Sequence, residues 1–210
     1  MTSERRHVRR RGPPVKPFKH RMRGGVFAQF EPHEARMIAN LAAQLIELLR
    51  DGEPESRPTQ DPLEALLDTD GPSEAPDDPV LARLLPDAYR DDDEGAGDFR
   101  RYTERGLRDG KSDNASEVIA SLVSGGLDPT SSAVDDADAE PVEVELDQAG
   151  VAAWLRCLTD LRLAMGTRLG VEQDDEERWN SLPADDPDSL LHDVYDWLAY
   201  VQETLIHATQ

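Results

Sequence analysis

The stretch "YRDDDEGAGDFRRYTERGLRDGKSDNASEVIASL", residues 89–122, opens on Asp91, Asp92, Asp93 and Glu94 and runs on through Arg100, Arg101, Arg105 and Arg108. A carboxylate run suggests a hard-cation site first. Calcium loops alternate their ligands with spacers and turn on a glycine, a spacing absent here, and adjacent side chains on one backbone diverge instead of converging. Helix capping is the better reading of these acids, with one of them available as an ion-pair partner. The arginines raise a second chemistry, phosphate contact by a basic helix. That suits a helix over 96–108, but not a following helix over 113–124, which has only Lys111 at its border.

The other residues of chemical interest lie in "VAAWLRCLTDLRLAMGTRLG". At about 100° per residue, Val151, Trp154, Leu155, Leu158, Leu161, Met165 and Leu169 form one stripe, with Arg162 near its middle. A charge placed there needs a mate, because an unpaired buried ion costs several kcal/mol. Asp91, Asp92, Asp93 and Glu94 are the internal mates considered. The alternatives are a side chain that snorkels past the stripe to water, or one that meets a partner's carboxylate. Cys157 falls about 120° from the stripe's centre, which predicts a half-buried structural thiol. A reactive thiol would need a lowered pKa, and the nearest base, Arg156, faces elsewhere. With five His and one Cys there is no zinc spacing. No nucleophile elbow, phosphate loop or dinucleotide fingerprint occurs. Neither catalysis nor a cofactor is expected.

The elements that would hold these residues follow from periodicity. The chain has 210 residues, 38% apolar and 32% charged, with a formal charge of -21. One domain with a modest core and long loops fits that balance. Residues 1–25 hold nine Lys/Arg against Glu4 alone, while the rest holds 14 Lys/Arg and 43 Asp/Glu. Nucleic acid is therefore repelled by most of the body, and direct contact is limited to basic regions. Residues 1–23, Pro-rich and like-charged, read as a disordered basic tail. It is either an arm for nucleic acid or a membrane surface, or a dispensable leader with Met22 as an alternative first residue. No apolar run is long enough to span a bilayer. A single cysteine suits a reducing cytoplasm.

Residues 24–208 read as one mostly α (α+β) domain of about five to six helices. Val26, Ala28 and Phe30 alternate as a strand, and Val142, Val144 and Leu146 as its partner, giving a two-stranded ribbon. Helices are expected from Pro32 to Gly52, at Leu63–Leu67, after Pro79, over 96–108, over 113–124 with Ser112 or Asp113 as cap, from Asp147 to Gly170, and over 188–207. Acidic, Pro-rich insertions fill 51–78, 128–140 and 171–187.

The segments "DPVLARLLPDAYRDDDE…DFRRYTERGLRDGK" and "VELDQAGVAAWLRCLTDLRLAMGTRLG" resemble an actinobacterial family known as a domain of unknown function, whose gene usually neighbours that of the ClpS proteolytic adaptor. The resemblance covers about residues 24–207. It implies a regulator of transcription in the stress response, since a mycobacterial member is regarded as an oxidative-stress regulator. That member is understood to use a disulfide switch and an alternative sigma factor. Cys157 has no second cysteine here, so an intramolecular switch does not carry over. What the resemblance leaves is a non-enzymatic, protein-binding regulator with sigma factor or RNA polymerase as partner. The alternative is an accessory protein of the Clp pathway. The residues on which interaction or core structure would turn are Arg162, Asp91, Asp92, Asp93, Arg100 and Trp154, with Cys157 as the redox candidate.

Overall fold

A computed structural model of the chain describes residues 16–21, 25–51, 71–89, 91–130, 140–173, 175–183 and 185–210. Its strands are β1 (Lys16–His20), β2 (Val26–Phe30) and β3 (Val142–Leu146). Its helices are α1 (Pro32–Arg50), α2 (Pro79–Leu84), α3 (Asp93–Ser124), α4 (Gln148–Leu169), α5 (Glu176–Ser181) and α6 (Pro187–Ala208). A mostly helical domain is thus confirmed, with six helices among the described residues. The expected helix at Leu63–Leu67 and most of the insertions at 51–78 and 128–140 lie outside them.

The sheet has three strands in the order β1-β2-β3, all antiparallel, so the two-stranded ribbon is corrected. The third strand comes from the segment read as a disordered tail. Phe18 is the reason: it is buried and meets Phe30 edge-on at 5.8 Å and Trp154 at 5.5 Å. One apolar residue among Lys, Pro and His makes no periodic signal, yet a single aromatic side chain carries a large burial gain. β1 is an edge strand, the one place where Pro17 costs no ladder bond. The β2/β3 register pairs Val26 with Leu146, Ala28 with Val144 and Phe30 with Val142, so the expected inward sets share one face. All six residues are buried.

Caps set the helix ends. Pro32 opens α1, where Glu31 N–H donates to Glu34 Oε2 at 2.9 Å. Asp78 accepts from the backbone of Val80 and Leu81 ahead of α2, and Asp147 from Gly150 ahead of α4. α4 stops at Gly170, whose φ of 61° suits a residue without Cβ. The segment 171–187, read as a loop, contains α5.

The two helices expected at 96–108 and 113–124 are one, α3, running 32 residues without a break. Gly106 and Gly110 each cost a helix about 1 kcal/mol, and Ser112–Asp113 looks like a cap. Tertiary packing overrides both signals. Glu104, Arg108, Ala115, Val118 and Leu122 form one continuous inward line against the rest of the fold. At its far end Gly125 lies so close to Glu143 that a Cβ would stand 2.1 Å from the Glu143 carbonyl oxygen. That contact seats β3 on α3, with Glu143 N–H donating to Gly125 O at 2.9 Å. α4 is the central helix, packed against α1, α2, α3, α6 and β3.

Candidate interaction surface

α3 carries different chemistry on its two sides. Inward, Arg100, Glu104 and Arg108 are spaced by four and stack along one ridge. All three are buried. One Glu104 oxygen accepts from Arg100 Nη1; the other accepts from Arg108 Nε at 2.9 Å and Nη2 at 2.7 Å. The guanidinium groups then reach the ends of two other helices. Arg100 Nη2 donates to the Leu85 carbonyl, the C-cap of α2, at 2.9 Å and to Asp87 Oδ1 at 2.7 Å. Arg108 Nη1 donates to Leu49 O at 2.6 Å and Asp51 O at 3.3 Å, the end of α1. Helix C-termini carry unpaired carbonyls and partial negative charge, so two buried cations have a reason to sit there. Glu104 is the counterion that both share.

Outward, the same helix presents Phe99, Tyr102 and Leu107 at 45%, 69% and 45% exposure. Tyr89, 51% exposed, packs edge-on against Phe99 at 6.1 Å. Singly exposed apolar residues mean little, but Phe99 and Tyr102 share one side of α3 with Tyr89 packed against Phe99, which marks a contact surface, while Leu107 lies on the flank toward α4. A groove of about 640 Å³ continues this face between α3 and α4, past Gly106, Gly110, Leu155 and Thr159. Since Arg100 and Arg108 point inward, the basic-helix reading of 96–108 is corrected. Of its four arginines only Arg101 and Arg105 are exposed, and Arg101 lies 3.7 Å from Asp98.

The residues singled out from sequence are scattered. Asp92 caps α3 through Gly95 N–H at 2.9 Å, while Asp91 and Asp93 are exposed beside it. None of them meets Arg162, and that pairing is corrected. Arg162 Nη1 instead donates to Gln202 Oε1 at 2.8 Å, and its guanidinium lies 5.2 Å from the centre of the Tyr195 ring. A neutral amide and an aromatic face from α6 take the place of a carboxylate. Gln202 is held by Thr159 in turn, through Nε2 to Oγ1 at 2.7 Å. Trp154 is fully buried, stacked on Phe30 at 5.7 Å, and donates Nε1–H to Ser121 Oγ at 2.9 Å. It ties α4 to α3 and to the sheet.

Cys157 is fully buried, not half-buried, because α4 is enclosed on more than its main stripe. Burial, with the Asp160 carboxylate nearby, pushes its thiol up to about 12. Asp160 is itself buried and accepts from Lys111 Nζ at 2.6 Å. Burial raises its pKa, and Lys111 draws it back. At neutral pH the thiol stays protonated and is a poor nucleophile. Cys157 should therefore resist an aromatic disulfide reagent in the folded protein and react at once in denaturant. Rapid labelling under native conditions would contradict this. Among the described residues no three His, Cys, Asp or Glu converge in a metal-binding arrangement.

Glu104 was not singled out from sequence, and Arg108 only as one of the basic residues of a helix over 96–108, although a signal for the buried line exists. Leu122, Val118 and Ala115 recur at three and four. Carried backward, the same line passes through Lys111, Arg108, Glu104 and Arg100. The apolar face of α3 continues as an ionic one.

A family model described as a domain of unknown function, DUF2017, matches residues 15–209. The chain is also 32% identical over 191 residues to the putative oxidative stress regulator AosR of Mycobacterium leprae, covering 84% of this chain and 79% of that protein. It is 32% identical over 184 residues to the oxidative stress regulator AosR of Mycobacterium tuberculosis strain H37Rv, covering 83% and 78%. No solved structure matches significantly.

Proposed function

Because this chain belongs to the DUF2017 family, we propose that it is a non-enzymatic regulator of an oxidative-stress response, acting on transcription in the cytoplasm by binding protein. Relatives named as oxidative stress regulators support the response. The observation that carries protein contact is the outer face of α3, where aromatic rings stand in solvent on a helix fixed from behind by buried ion pairs. No helix among the described residues is long and apolar enough to cross a membrane. Sigma factor or RNA polymerase is the proposed target. The chain's charge of -21 favours basic regions on such a partner and speeds encounter with them. Arg162, Asp92, Arg100 and Trp154 act structurally in this reading, Asp91 and Asp93 remain solvent-facing, and Cys157 is not a switch.

Affinity capture from the native cell, with and without peroxide, tests this. Wild type is expected to bring down sigma factor or polymerase, and Phe99→Asp/Tyr102→Asp to lose at least about 90% of it, which is 1.4 kcal/mol or more. Clp subunits in place of transcription proteins would support the proteolytic alternative. Capture that ignores the double substitution would remove α3 from the account.

A further inference from the structure

We infer that the outer face of α3 takes a second copy of this chain, the two helices lying antiparallel about a two-fold axis midway between Arg105 and Asp109. The inference rests on the reading of this face as a contact surface and names the partner it accepts. Its first support is the order of charges along one ridge. Arg101, Arg105, Asp109 and Asp113 are spaced by four and all exposed. In an antiparallel pair, residues equidistant from the axis meet, and each contact occurs twice. An axis midway between Arg105 and Asp109 sets Arg101 opposite Asp113 of the other copy and Arg105 opposite its Asp109. A parallel pair in register would set arginine on arginine and aspartate on aspartate. The ridge is complementary to itself in one direction only.

The neighbouring ridge supports the same pairing by shape. It reads Tyr102, Gly106, Gly110, Asn114. A Cβ built on Gly106 or Gly110 would have no heavy atom within 4 Å, so the helix backbone lies open there. The antiparallel arrangement sets the Tyr102 ring of each copy opposite position 112 of the other, in the gap between Gly110 and Asn114 on that ridge, a knob beside a hollow. Rows spaced by four are the ridges that interdigitate in the commonest helix packing, and small residues allow the closest approach. Phe99 borders the contact and adds apolar burial.

Charge also explains why the copies would meet here. A chain of -21 repels itself over most of its surface. On this side of α3, Asp98, Asp109 and Asp113 are largely offset by Arg101 and Arg105. The Arg101–Asp98 pair within one copy, 3.7 Å apart and exposed, is weak enough to exchange for a contact across the axis.

Sedimentation velocity on the full chain, from about 1 to 100 μM, is the test. Wild type is expected to shift from monomer toward dimer across that range. Arg101→Asp/Arg105→Asp and Asp109→Arg/Asp113→Arg, each with a wild-type far-UV spectrum, should each weaken self-association at least about tenfold. Mixed in equal amounts, the two should form a heterodimer, because the exchange restores opposite charges across the axis. A wild type that stays monomeric, or charge variants that dimerise as wild type does, would overturn the inference. If the monomer still captures its transcription partner through Phe99 and Tyr102, the functional reading stands without it.

Discussion

Glu104→Ala is expected to destabilise the protein by about 3–5 kcal/mol, more than any other single charge removal here. The carboxylate is buried between Arg100 and Arg108, which remain fixed to the carbonyls of Leu85 and Leu49 after it is gone. Two buried cations then lack their shared counterion. Urea unfolding would show the loss as a lower midpoint with an unchanged slope. Removing all three charges as Arg100→Met/Glu104→Leu/Arg108→Met should recover part of the loss, because no ion is left stranded. Recovery should be incomplete, since the ends of α1 and α2 lose their donors. A Glu104→Ala protein as stable as wild type would mean that the network does not hold α3 in place. The outer face would then lack the rigid support ascribed to it.

Trp154→Ala is expected to cost a similar 3–5 kcal/mol for a different reason. Its ring packs against both Phe18 and Phe30, which also touch each other, and its N–H is the donor to Ser121. The substitution leaves a cavity at the junction of the sheet, α3 and α4, so the melting temperature should fall by roughly 10 °C or more. Trp154→Phe should retain most of the packing and lose the hydrogen bond, worth about 1 kcal/mol. Equal effects from the two substitutions would contradict this division.

What the sequence showed and what it hid have physical causes. Val142, Val144 and Leu146 alternate with Glu143 and Glu145 because one face of the sheet is dry and the other wet, and that contrast survives in one dimension. The helix starts at Pro32, Pro79 and Asp147 were legible because caps and first-turn prolines are local. Phe18 was hidden because its partners, Phe30 and Trp154, are distant in sequence and its neighbours are basic. The continuity of α3 was hidden because Gly110 and Ser112–Asp113 are local helix-stop signals, overruled by contacts with α1 and α4. Arg162 was correctly placed on a buried side of α4, but its mates were sought among acids. Gln202 and the Tyr195 ring, both on α6, took that place. The contact face was the least legible part: nothing in the sequence singles out Phe99 and Tyr102, because which side of α3 faces outward is set only by the inward line through Arg100, Glu104 and Arg108.

Regulation is proposed to run through the outer face of α3 and not through Cys157. Transcript profiling after a peroxide pulse separates the two, in cells whose only copy of the protein is wild type, Phe99→Asp/Tyr102→Asp or Cys157→Ser, matched for abundance. The prediction is that Phe99→Asp/Tyr102→Asp cells lose the response as a deletion does, while Cys157→Ser cells respond like wild type. A response that survives the α3 substitutions and disappears with Cys157 would contradict the claim.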